Sequence, residues 1–196
     1  MATRDAFLAA LRRSAPREVP RPDLSALGVK FPDPAKQFAA SLAGVGGAAV
    51  RVPDRAAADR ATRELPVYRE AKRVVSLVPG VGEANVALQA LPGPHALEGL
   101  DVAILPGELA VAENGAVWVD GGGFHHRVVF VVPEHLVLVV DAANVVNDMH
   151  EAYARLAGRP IRYGLFISGP SKTADIEQAL VIGAQGARSC TVLLVG

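Results

Sequence analysis

Tyr163-Gly-Leu-Phe-Ile-Ser-Gly-Pro-Ser-Lys-Thr-Ala-Asp-Ile-Glu-Gln-Ala-Leu-Val-Ile-Gly-Ala184 decides how the rest of the chain is organised. Leu165, Phe166 and Ile167 have the bulk and branching of a central strand. Gly169-Pro170 stops that strand near Ser168, because one residue admits unusual dihedrals and the other lacks a ladder donor. Beyond the break, Ile176, Ala179, Leu180 and Gly183 recur at three- and four-residue spacing and predict a helix. Asp175 and Glu177 then fall in its first turn, where they complement the helix dipole, and Ser171 or Thr173 caps it.

Working outward, the preceding sequence reads as alternating helices and strands. Helices are expected over residues 34–42, with Phe38 and Leu42 inward, and from Pro53-Asp54 to about Leu65; strands are expected over 48–52 and 73–78. Residues 82–100 are ambiguous. Four strands follow at 100–105, 117–119, 127–132 and 136–140, joined by loops too short for helices, which implies antiparallel pairing. A helix over 144–156 and a last strand over 190–195 complete an α/β fold with a mixed sheet of about six to eight strands covered by helices. Residues 1–30 read as a helical arm with Phe7, Leu8 and Leu11 on one face, followed by a linker broken at Pro16, Pro20 and Pro22; residues 31–196 form the α/β domain. The arm either packs on its own domain or reaches a second subunit of a homo-oligomer.

Composition narrows the function. Twenty basic and twenty acidic residues balance, so no global field draws the chain to nucleic acid or an anionic membrane. The hydrophobic share is 51% with only 5% aromatics, the signature of Ala, Val and Leu filling helices and buried parallel strands. The longest apolar run, 128–140, is broken by Pro133-Glu134-His135 and falls short of the ~18 residues a membrane span needs. The N-terminus, with Arg4 and Asp5 ahead of an amphipathic stretch, does not resemble a secretory leader. A cytoplasmic protein is expected. The single cysteine, Cys190, excludes an intramolecular disulfide and cysteine-ligated clusters or zinc, and its apolar setting predicts a buried, inert thiol.

Two segments have the residue types for chemistry. Ser168-Gly169-Pro170-Ser171-Lys172-Thr173, at the expected helix start, offers backbone N–H groups and hydroxyls to an anion with Lys172 as countercharge; its plainer reading is an ordinary cap beside a solvated lysine. It lacks the two-glycine spacing of a phosphate-binding Walker loop. In Ala112-Glu113-Asn114-Gly115, a carboxylate precedes an Asn-Gly turn; Glu113 is either a nucleophile or base held at a strand end, or an exposed hairpin glutamate. His125 and His126, placed on a strand, would point to opposite faces and so not share a metal, and His95, His135 and His150 are isolated. No metal site is expected.

The run Phe166-Ile-Ser-Gly-Pro-Ser-Lys-Thr-Ala-Asp-Ile-Glu177 is close to the S-G-P-S-x-T-A-D-I-E pattern of the LUD-domain family. Ala112-Glu113-Asn114-Gly115 stands where that family has A-E-T-G, and Val131-Val-Pro-Glu-His135 resembles its L-P-x-x-H segment. The chain therefore resembles this family, in its lactate utilization protein C branch, over residues 100–196. The resemblance implies an α/β fold similar to the sugar-isomerase and coenzyme A transferase superfamily (NagB/RpiA/CoA transferase-like). It also implies a non-redox role in oxidising L-lactate to pyruvate beside partner subunits that carry iron–sulfur clusters, with no cofactor on this chain. A small carboxylate or the partners would then bind a cleft between Glu113 and the 168–173 loop. Ser168, Gly169, Ser171, Lys172, Thr173 and Asn114 would contact the anion, and Glu113, Asp175 or Glu177 would orient it or move a proton. Two departures stand out. Asn114 in place of Thr makes Glu-Asn-Gly, which resembles the segment where coenzyme A transferases carry their catalytic glutamate, and raises acyl or coenzyme A transfer through Glu113 as an alternative, beside a divergent scaffold without catalysis. Leu105-Pro106-Gly107-Glu108 replaces a G-I-T-G-A-like run.

Overall fold

The computed structural model describes residues 3–14, 20, 28–174 and 179–196. Three aspartates start the principal helices by accepting the orphan N–H groups of a first turn. Asp33 accepts from Lys36 N and opens α2 (Pro34–Gly44), with Pro34 at its first position. Asp54 does the same for α3 (Arg55–Glu64) through Ala57 N, and Asp148 for α5 (Met149–Leu156) through Glu151 N. Among the described residues the other α-helices are α1 (Arg4–Ser14), which has no buried residue, and the one-turn α4 (Pro66–Arg69).

The strands are, in chain order, β1 (Ala48–Val52), β2 (Val74–Ser76), β3 (Val102–Pro106), β4 (Leu109–Val111), β5 (Ala116–Asp120), β6 (His135–Asp141), β7 (Val145–Val146), β8 (Gly164–Ile167), β9 (Lys172–Thr173), β10 (Val181–Ile182) and β11 (Ser189–Val195). The α/β class stands, with the strands divided among sheets. Five of them, in the order β1-β11-β6-β3-β2, form an all-parallel sheet. Four more, β7-β4-β5-β8, form a mixed sheet. The antiparallel pairing expected among the consecutive strands 100–105, 117–119, 127–132 and 136–140 does not occur: β3 and β6 pair in parallel, and β5 lies in the other sheet, where its antiparallel partners are β8 and β4, a strand the sequence reading did not include.

Alternation along the strands sorts side chains into layers. Ala103, Leu105, Leu136, Leu138, Val140, Val192 and Leu194 face a central core that also takes Val117 and Val119 from the mixed sheet and Phe38 and Leu42 from α2. On the far side of the parallel sheet, Val102, Ile104, Val137, Val139 and Leu193 pack under α3. On the far side of the mixed sheet, Leu109, Trp118 and Val146 pack against Ala152 and Leu156 of α5. The order of layers is thus α3, parallel sheet, core with α2, mixed sheet, α5.

Four local expectations are corrected. Residues 127–130 form a 3-10 turn closed by Val129 N to His126 O, not a strand, and bury Val129 and Phe130 without a strand neighbour. Consequently His125 and His126 lie in a loop, their rings edge-on with centroids 4.4 Å apart, instead of on opposite strand faces. The helix expected from 144 starts only at Met149, because Val145 and Val146 pair with Ala110 and Val111. After Gly169-Pro170 the described residues form no helix. Lys172 and Thr173 pair antiparallel with Ile182 and Val181. Gly183 N donates to Ser171 O, and Gly183 takes a φ of +83°, outside helical geometry. Asp175 and Glu177 lie outside the described residues.

Candidate functional site

The two segments singled out by sequence meet. The β4–β5 hairpin turn is tightened by Asn114 Oδ1, which accepts from Ala116 N at 3.0 Å, and Ser168 Oγ, at the end of β8, donates to Asn114 O at 2.7 Å. Both segments are wedged against the C-terminal half of α2. Ser41 Oγ donates to Ala112 O at 2.7 Å. Gly115 and Gly169 adopt φ of +69° and +71°, and a Cβ added to them would stand 2.6 Å from Leu42 N and 2.8 Å from Val45 O. Only glycine admits that backbone at such a separation.

The charged members turn outward from this junction. Glu113 is exposed, and its Oε2 accepts from Met149 N at 3.1 Å, which places the carboxylate on the positive end of α5. Lys172 is also exposed, and its Nζ would lie 3.8 Å from a Cβ on Gly46, just past the end of α2, where a cation complements the helix dipole. Ser171 is fixed by its backbone, donating to Ala187 O and accepting from Gly183 N. Together with Gly169 it borders a cavity of about 190 Å³ whose other walls are largely apolar, among them Phe130, Leu136 and Leu165; Glu113 is not on it. Thr173 is half-buried in β9.

Sequence reasoning missed a larger concavity. A cleft of about 730 Å³ opens at the carboxyl edge of the parallel sheet, walled by Pro106, Gly107, Val139, Val140 and Val195 and rimmed by Arg55, Glu108, Asp141, Asn144, Arg155 and Arg159. Pro106, Gly107 and Glu108 line it from the segment that leaves β3 in one sheet and enters β4 in the other. Gly107 is required there, since an added Cβ would come within 2.5 Å of Val117 Cγ1 and 2.6 Å of Val140 Cγ2. The available signal was this Pro-Gly corner after a buried strand, the position where open parallel sheets place ligands. Arg159 is held by Glu108 through contacts of 2.8 and 3.1 Å.

His135 Nδ1 bonds Ser189 Oγ at 2.8 Å at the opposite, amino edge of the sheet, and neighbouring Glu134 pairs with Arg188 at 2.6 Å. Cys190 is buried as expected, and that burial pushes its thiol up to about 12. Among the described residues, no group of three or more His, Cys, Asp or Glu is arranged to hold a metal ion, and no helix is long and apolar enough to cross a membrane.

A family model for the LUD domain matches residues 95–195, a span that includes the hairpin turn, the 168–173 loop and most of the carboxyl-edge cleft. The chain belongs to the LUD-domain family. Among its relatives, a Lactate utilization protein C of Geobacillus kaustophilus (strain HTA426) is 28% identical over 123 residues, 60% of this chain and 48% of that protein. Another from Shouchella clausii (strain KSM-K16) is 30% identical over 100 residues, 48% of this chain and 44% of that protein. The chain thus spans about half the length of the curated relatives it matches. A crystal structure of a DUF162 family protein from Deinococcus radiodurans superposes with a TM-score of 0.58 at 20% identity, over 86% of this chain and 99% of that one, and shows the same fold.

Proposed function

We propose that this chain is a non-redox subunit of a system that oxidises L-lactate to pyruvate, and that it meets its partner subunits at the surface over the Glu113 turn and the 168–173 loop. The relatives named for lactate utilization support the process. The observation that carries the site is the Ser168–Asn114 bond, which joins two family segments 54 residues apart in sequence. The junction is rigid where it packs on α2 and charged where it faces out, with Glu113 and Lys172 both exposed. Exposed charges of opposite sign on a fixed backbone suit them to steering and registering a complementary protein surface. In this reading the partners carry the iron–sulfur clusters and move the electrons, and this chain holds and orients.

Affinity purification of the tagged chain from cells grown on L-lactate tests it. The expected result is co-purification of subunits with bound iron and acid-labile sulfide, weakened in the charge reversals Glu113→Lys and Lys172→Glu. A chain that captures no such subunits, and whose deletion leaves growth on L-lactate unchanged, overturns the proposal.

A further inference from the structure

The carboxyl-edge cleft is lined by three arginines and two acids, Glu108 and Asp141, and Asp120 lies 4.0 Å from Arg159; what sets it apart is that two of the arginines have no carboxylate partner among the described residues. Of its three arginines, Arg159 is occupied by Glu108. Arg55 has only a marginal contact from Nη1 to Pro79 O at 3.4 Å, and Arg155 only one from Nη1 to Asn144 Oδ1 at 3.5 Å. Among the described residues neither forms an ion pair with a carboxylate. The other acid on the rim, Asp141, directs Oδ1 to Ala143 N in its own turn. Guanidinium groups without counter-ions on the wall of a concavity raise the local concentration of anions, and their planar forks match oxyanions two bonds at a time.

Position and size restrict the occupant. Arg55 begins α3, which covers the parallel sheet, whereas Arg155 lies in the last turn of α5, beyond the mixed sheet. A ligand that touches both spans the crossing between the sheets at Pro106-Gly107 and needs an acidic group for each side. The cleft of about 730 Å³ falls within the roughly 300–1,000 Å³ of pockets that enclose whole metabolites. We infer that this cleft binds an organic anion with at least two negative charges, of phosphate-ester or polycarboxylate chemistry, bridged between Arg55 and Arg155. The inference does not depend on the partner-docking proposal, whose surface lies elsewhere on the chain.

Isothermal titration calorimetry on the full chain at low salt, with pyrophosphate, citrate and L-lactate as separate probes, tests it. Pyrophosphate or citrate is expected to bind saturably with one-to-one stoichiometry, more tightly than L-lactate. Loss of a charge-assisted hydrogen-bond pair predicts weakening of about tenfold or more in each of Arg55→Ala and Arg155→Ala. Lys72→Ala, an exposed lysine at the amino edge of the parallel sheet, should bind as the wild type does, and circular dichroism should show both arginine variants folded. Binding of pyrophosphate alone assigns phosphate-ester chemistry, and of citrate alone polycarboxylate chemistry. The inference is overturned by a folded wild type that binds neither, by unchanged affinity in either arginine variant, or by equal weakening in Lys72→Ala, which would mark diffuse charge attraction.

Discussion

At Gly115 two constraints coincide: a φ of +69° and a backbone neighbour, Leu42 N, 2.6 Å from where a Cβ would stand. A side-chain tip can move aside, but α2 cannot. Gly115→Ala is therefore expected to cost about 2 kcal/mol or more, adding left-handed strain to overpacking, and to lower the urea midpoint measured by circular dichroism. The Asn-Gly signal made the turn legible; the α2 backbone against it was not, because that contact joins segments distant in sequence, as Ser41 and Ala112 show at 71 residues apart. The same limit applies to Glu113. Its place as an exposed glutamate in the hairpin turn was one of the two readings open from sequence, but its bond to Met149 N depends on where α5 docks. Cys190 was fully legible from its apolar run. With burial pushing its thiol up to about 12, iodoacetamide at mildly alkaline pH should leave the native protein unlabelled and modify one thiol per chain after unfolding. Because the folded state holds this proton more tightly, its contribution to stability is present below the ordinary thiol range and is lost as pH climbs toward 12.

At the scale of elements, α5 shows why capping signals outrank apolar spacing. Val145 looks helical by period, yet β4 takes Val145 and Val146, and the helix waits for Asp148. The ribbon of β9 and β10 makes the same point. The spacing of Ala179, Leu180 and Gly183 imitates a helical face, but Leu180 and Ile182 are exposed and the backbone bonds run across to Ser171. Periodicity reports a buried face only where something covers it. The start of α5 also sets a pH response. Glu151 accepts from Asn147 N at 2.8 Å and pairs with Lys30, and chiefly that lysine contact holds its carboxyl well below the ordinary range, at about 2. A depressed carboxylate stabilises the fold above its unfolded value and loses that contribution as pH falls. Stability should therefore decline from about pH 4.5 toward 2, and Glu151→Gln should flatten that decline when urea midpoints are followed across the window.

At the scale of the whole molecule, the α/β class followed from composition and from buried strands punctuated by Gly and Pro, while the division into two sheets did not. The strands of both sheets read alike because both have covered faces: Ala116 and Trp118 point to one core and Val117 and Val119 to another. Only the topology shows that Leu105-Pro106-Gly107-Glu108 crosses between sheets and leaves a cleft at the carboxyl edge. That topology also makes the last strand central. β11 pairs with β1 on one side and β6 on the other, burying Cys190, Val192 and Leu194 on one face and Leu193 on the other. Without it, the parallel sheet falls into β1 alone and a three-stranded remnant, and two cores open to water. Each large buried side chain lost from such a site costs about 2–5 kcal/mol, which for several together exceeds the roughly 5–15 kcal/mol that holds a domain folded. Deletion of residues 189–196 should therefore abolish cooperative thermal unfolding, whereas deletion of residues 1–14, whose helix α1 buries nothing, should leave the transition in place. Differential scanning calorimetry distinguishes the two, and a cooperative transition in the C-terminal deletion would show that β11 is dispensable to the sheet.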